Sequence, residues 1–159
     1  MPSFVILNAT VLTGTAWTGT APGAGNPSIT GTITSPTNWS DHVRQVQLSE
    51  KCAMQDFTTF GDGGFMTQLP GLLSADLSIE FNQDFAASNV DAVFGAGFLN
   101  RTLFYIDVKP TSAARGATNP SRVYAAYVSE YAPVSNSVGD RASITIPFAV
   151  TGSFARLTS

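Results

Sequence analysis

The chain reads as a mainly β protein, an antiparallel β-sandwich or partly closed β-barrel with one short flanking α-helix, and three observations predict that class. Strand-like runs recur along the sequence, separated by Gly, Pro, Asn and Asp. One of them alternates cleanly, with Ala75, Leu77, Ile79 and Phe81 on one face and Ser74, Asp76, Ser78 and Glu80 on the other. Helical spacing of apolar residues occurs in one short stretch, Val90, Val93, Phe94 and Phe98.

Taken in order, residues 4–12 are apolar and β-branched enough for a first strand. Residues 13–27, from Thr13 to Pro27, are dominated by Gly, Thr, Ala and Pro and predict a long loop or arm. Its one large side chain is Trp17, which either anchors a neighbouring chain or folds back on its own domain. Residues 29–34 are a short strand candidate, residues 36–41 a turn, and residues 43–48 the next strand. Pro70-Gly71 has the chemistry of a type II turn, which predicts a hairpin between residues 64–69 and 72–81. Ser88-Asn89-Val90-Asp91 has the form of a capping box opening the helix. Gly95 and Gly97 in its body, each costing about 1 kcal/mol relative to Ala, predict that it packs closely on a sheet. Four strands follow, at residues 103–108, 122–131, 142–150 and 153–157, and Pro147 marks the third as an edge or bulged strand. Residues 109–120, from Lys109 to Pro120 and including Arg115, form a polar loop long enough to suggest contacts outside the domain.

Composition narrows the function. At 159 residues the chain is one domain, 1–159, long enough to bury a core without cross-links. Only 12% of residues are charged, about half the usual share, so much of the surface is neutral polar or is covered by other subunits. The net charge of −3 offers nothing to attract nucleic acid or anionic membrane. The single Cys52 excludes an intramolecular disulfide and reads as a small half-buried hydrophobe. Met1 to Leu7 lack a basic segment and are too short an apolar run for a signal peptide, which predicts folding in a cytosol.

No motif marks a catalytic centre. His42 is the only histidine, follows a Ser-Asp turn, and reads as a surface or interface residue. Asp76 and Glu80 share a strand face, which is a solvated face before it is a glycosidase pair. Gly61-Asp62-Gly63-Gly64 lacks the alternating acids of a calcium loop, and Gly95-Ala96-Gly97 lacks the third glycine of a dinucleotide fingerprint. No cofactor and no metal are expected, and the chain is not read as an enzyme.

The order of these features resembles the tail tube, or major tail, proteins of long-tailed bacteriophages. The likeness covers residues 38–159: the Ser-Asp-His-Val turn into a strand, Asp56 with Thr58-Thr59-Phe60-Gly61-Asp62, the Gly71-Leu72 turn, Leu77 to Phe81 with Asp84, a helix, and the closing strands with Tyr131-Ala132-Pro133, Val138-Gly139-Asp140 and Thr151-Gly152. The first 37 residues match less well. The resemblance implies six-membered rings of this chain stacked into a tube that conducts DNA, in a virion tail assembled in a bacterial cytoplasm beside other tail proteins. It further implies edge strands joining sheets between subunits, an Asp76/Glu80 face lining the channel, and ring contacts through Trp17, Thr13, Pro27, Lys109, Arg115 and Pro120. Two other readings share the predicted fold: a carbohydrate-binding β-sandwich using Trp17 or Trp39 as a stacking platform, and a capsid decoration or tail-completion protein.

Overall fold

The computed structural model describes residues 9–23, 25 and 28–159, so the greater part of the predicted first strand, and Pro27, lie outside the described residues. The fold is mainly antiparallel β. The strands are β1 (Thr10–Gly14), β2 (Trp17–Thr18), β3 (Thr32–Ile33), β4 (Thr37–Asn38), β5 (Val43–Asp56), β6 (Gln68–Asn82), β7 (Leu103–Lys109), β8 (Ser121–Val128), β9 (Ser143–Val150) and β10 (Ala155–Leu157). The main sheet runs β4-β1-β7-β8-β9-β6-β5, with β10 on β8, and β2 and β3 form a small second sheet. The main sheet bends so that its two halves face one another across a single core, but β5 does not pair with β1 or β4 and the barrel stays open.

The alternation of Ala75, Leu77, Ile79 and Phe81 places all four in the core, where Ile144, Ile146 and Phe148 of β9 join them. Phe94 sits at the centre, its ring 5.0 to 5.7 Å from those of Trp39, Phe81, Phe104 and Phe148. Trp39 is buried, and its indole N–H donates to the Thr13 hydroxyl at 2.7 Å, which satisfies the one polar atom the ring carries inside.

Several expectations are corrected. Pro70-Gly71 is not a turn: both residues lie within β6, Pro70 opposite Met54. The hairpin is instead β5–β6, and its loop is residues 57–67. Proline is tolerated at this position because β9 pairs with β6 only from Asp76 to Asn82, which leaves the earlier half of β6 an edge, and a bulge between Cys52 and Met54 loosens the ladder opposite. Likewise Pro147 stands where β8 ceases to pair with β9, one residue before Phe148 meets Val128. β3 and β4 are shorter than the strand and turn predicted around them, and β8 stops at Val128.

The capping box does not form. Ser88 has a φ of 65°, and the helix entry is organised by Asp84, which accepts from Ala86 N at 2.9 Å and Asn89 Nδ2 at 2.6 Å. These bonds, with His42 3.8 Å away, hold the Asp84 carboxyl below its ordinary range. The helix begins as a π turn, Asp91–Gly95, and continues as α1, Ala96–Leu99. A π turn holds more residues than the α spacing assumes, so Val90 and Phe94 point inward while Phe98 drifts to the rim, 38% exposed. The close packing expected of the glycines is present: a Cβ on Gly97 falls 2.4 Å from the Phe104 ring.

Candidate assembly surfaces

Two surfaces carry the residues that sequence reasoning singled out, and a third is one that it missed. The first is the outward face of β5, β6 and β9. Because side chains alternate, burial of Leu77, Ile79 and Phe81 turns Asp76, Ser78 and Glu80 outward beside Gln45, Gln47, Ser49 and Thr145. The two acids are thus brought onto one face, but neither stands alone: Lys51 binds Asp76, and Arg44 donates to Glu80 at 3.0 Å. The face is therefore amide- and hydroxyl-rich with matched charges. Such exposed pairs contribute little to stability, about 0 to 1 kcal/mol.

The second surface is the 109–120 loop, which is closed on itself. Asn119 accepts from Thr111 N at 3.0 Å and donates to Ala113 O at 2.8 Å, and Lys109 Nζ donates to Ala113 O at 3.1 Å. Arg115 turns inward. Its guanidinium donates to Asp107 Oδ2 at 3.1 Å, Ser121 Oγ at 3.0 Å, Gly31 O at 3.0 Å and Ser159 O at 3.1 Å. One side chain thus ties β7, β8, the approach to β3 and the last residue together. Trp17 is likewise committed to its own domain: it packs on Tyr105 at 5.6 Å and donates to Thr30 O at 2.9 Å. Thr13 is buried, and Trp17, Lys109, Arg115 and Pro120 are half-buried. Trp39 is inside the core, so it is not a sugar-stacking platform.

The third surface is the end of the β5–β6 hairpin, which projects past the sheet. Beyond Asp76 no third strand among the described residues covers it. Met54, Phe57, Phe60, Phe65, Met66, Leu69, Leu72 and Leu73 are between 48% and 111% exposed. Cys52 is exposed there too, contrary to the half-buried position expected of it. The tip is nonetheless ordered by its acids. Asp56 accepts from Thr58 N at 2.9 Å and from its hydroxyl, and Asp62 accepts from Thr59 N at 2.6 Å. For Asp56 the Thr58 hydroxyl, and for Asp62 the Thr59 N–H, is the main cause of a carboxyl held below its ordinary range. Gly63, at φ 62°, closes the short Phe60–Asp62 turn. The signal for this surface was present in the sequence: Leu72-Leu73 breaks the alternation that begins at Ala75, so residues 57–73 have no face to bury.

Across the open side of the sheet, Glu50 of β5 reaches β8, accepting from Tyr124 Oη at 2.5 Å and Arg122 at 3.0 Å. Burial chiefly, and then that bond, raise the Tyr124 phenol well above its ordinary value. A groove of about 710 Å³ lies beside it, between β5 and the β1–β7 edge. Of its basic residues, Arg44 and Arg122 are engaged by Glu80 and Glu50, and Lys109 donates to Ala113 O. Among the described residues no three His, Cys, Asp or Glu side chains are grouped to hold a metal ion, and no helix is long and apolar enough to cross a membrane.

No protein-family model matches the chain, and no curated protein matches it. Solved structures do. A chain of the virion of a native gene transfer agent particle is similar with a TM-score of 0.55 and 16% identity, over 73% of this chain and 85% of that one. A chain from the tail of an empty gene transfer agent particle, refined with helical methods and C6 symmetry, is similar with a TM-score of 0.51 and 18% identity, over 73% and 82%. At these identities the likeness is one of fold: this chain has the fold of chains found in a gene transfer agent particle and its tail.

Proposed function

We propose that the chain is a structural subunit of a phage-type tail, which assembles as hexameric rings stacked into a tube and passes DNA through its lumen. The observation that carries the proposal is the projecting hairpin. Eight large apolar side chains stand exposed with nothing among the described residues to cover them, and an apolar surface of this kind marks a contact with another chain. The shared fold with a chain from a C6-symmetric tail supports a second copy as that other chain. The low share of charged residues fits a subunit mostly enclosed by neighbours. The long unpaired outer edge of β5 supports lateral joining of sheets between subunits. On this reading the protein resides in the virion, its partners are copies of itself and other tail proteins, and it is not an enzyme.

The outward β5–β6–β9 face is the proposed lumen. With its acids matched by bases and the remainder Gln, Ser and Thr, it neither holds phosphate nor repels it strongly. Replacing both acids, Asp76→Lys and Glu80→Lys, frees Arg44 and Lys51 and adds two further positive charges per subunit. Particles carrying both changes are expected to form tubes of normal length but to eject DNA more slowly, the more so at low salt. Unchanged ejection kinetics contradict the lumen assignment. Loss of the tubes contradicts the claim that this face is free of subunit contacts.

A further inference from the structure

A second exposed apolar surface lies at the opposite end of the fold from the hairpin tip. Phe98, Leu99 and Tyr127 are 38%, 78% and 41% exposed and line a shallow concavity of about 590 Å³, with Arg101 at its edge. Arg101 follows α1 in a left-handed conformation, φ 53°, and has no ion pair among the described residues.

Strand register puts this concavity far from the tip. Tyr127 pairs with Ala149, and Ala149 with Asp76. From Asp76, β6 runs eight residues to Gln68 before the tip loop begins, a distance of about 26 Å at 3.3 Å per residue. β7 leaves Leu103, the partner of Tyr127, in the direction of the tip, and α1 precedes it, so the concavity lies at the opposite end. The two surfaces cannot meet within one chain. Between copies they form a head-to-tail contact, which repeats without closing and so generates a stack.

The chemistry is complementary. The tip presents aromatic rings beside Asp56 and Asp62, both ionised at neutral pH, and no Lys, Arg or His lies between Lys51 and Arg101 in the sequence. The concavity presents apolar side chains beside an unpaired guanidinium.

Resting on the assembly proposed above, we propose that the tip of one copy seats in the Phe98–Leu99–Tyr127 concavity of the next, with Arg101 facing Asp62. The contact is testable by cross-linking. In a Cys52→Ala background, Phe60→Cys and Leu99→Cys alter only exposed side chains, and Phe60→Cys with Ala114→Cys is the control. Oxidation of assembled protein is expected to give reducible intermolecular oligomers at least about tenfold more abundant for the 60–99 pair. The charge at Arg101 provides an independent readout: Arg101→Asp is expected to weaken assembly, and Arg101→Lys to retain most of it. Tubes that form without 60–99 cross-links above the control overturn this docking while leaving the assembly intact. Tubes formed as readily by Arg101→Asp as by the parent overturn the Arg101–Asp62 pairing. A parent chain, with Phe60 and Leu99 intact, that does not assemble overturns both proposals.

Discussion

Replacing Phe57, Phe60 and Phe65 together by serine is expected to abolish self-association while leaving the melting temperature within a few degrees of the parent. The rings are 62%, 111% and 79% exposed, so the isolated fold derives little from them. In an assembly each is a candidate for full burial, worth about 1.5 to 3 kcal/mol, so losing three at every contact exceeds what a weakly held stack tolerates. The ordering of the tip should survive, because it rests on Asp56 with Thr58 and Asp62 with Thr59 rather than on the rings. Sedimentation and thermal unfolding of the same preparation separate the two effects. Unchanged sedimentation shows that the hairpin is not the assembly element; a large fall in melting temperature shows that it belongs to the core.

Arg115→Ala is expected to have the largest effect on stability, a loss of about 3 to 5 kcal/mol. The Asp107 carboxylate is 3% exposed, Arg115 is its ion-pair partner, and its Oδ1 already lacks a hydrogen-bond partner among the described residues. Removing the guanidinium leaves a buried charge uncompensated and also frees Gly31 O and Ser159 O. Two costs are therefore combined, and a double variant separates them. Asp107→Ala added to Arg115→Ala removes the orphaned charge and is expected to recover part of the loss, so the double variant is more stable than the single one. Denaturant unfolding of the three proteins measures this. A double variant less stable than Arg115→Ala alone shows that the Asp107 charge is not the source of the cost.

These two sites differ in how much of them the sequence discloses. The strand from Ala75 to Phe81 is legible because one face is buried and the other is not, and the period of two records that directly. The same strand continues back to Gln68, but there it has no third strand beside it and no face to bury, so alternation vanishes and Pro70-Gly71 resembles a turn. Local turn chemistry lost to the pairing with β5, at a sheet edge where proline does little harm. The helix was legible in place but not in its start, because Asp84 in the preceding loop organises the entry that Ser88 was expected to cap. Phe98 leaves the face it shares by helical spacing with Val90 and Phe94 for a related reason, since a π turn shifts that spacing.

The polar loop was recognised by length, yet its inward Arg115 depends on β7 and β8 bringing Asp107 and Ser121 to one place, which no local pattern encodes. The sequence leaves Trp17 two alternatives, and in the fold its ring packs on Tyr105 while staying partly exposed. The Asp76/Glu80 face was foreseen as a shared polar face; the bases that neutralise it sit on β5, and only the β5–β6 register shows that Lys51 and Arg44 reach them.

The central claim is that this chain polymerises head to tail through its hairpin into stacked sixfold rings. Electron microscopy of the purified full chain at high protein concentration tests it most directly. Tubes, or rings with sixfold averages, are the predicted result, and the Phe57, Phe60 and Phe65 triple variant should show neither. A parent protein that stays a dispersed monomer throughout the concentration range would contradict the account.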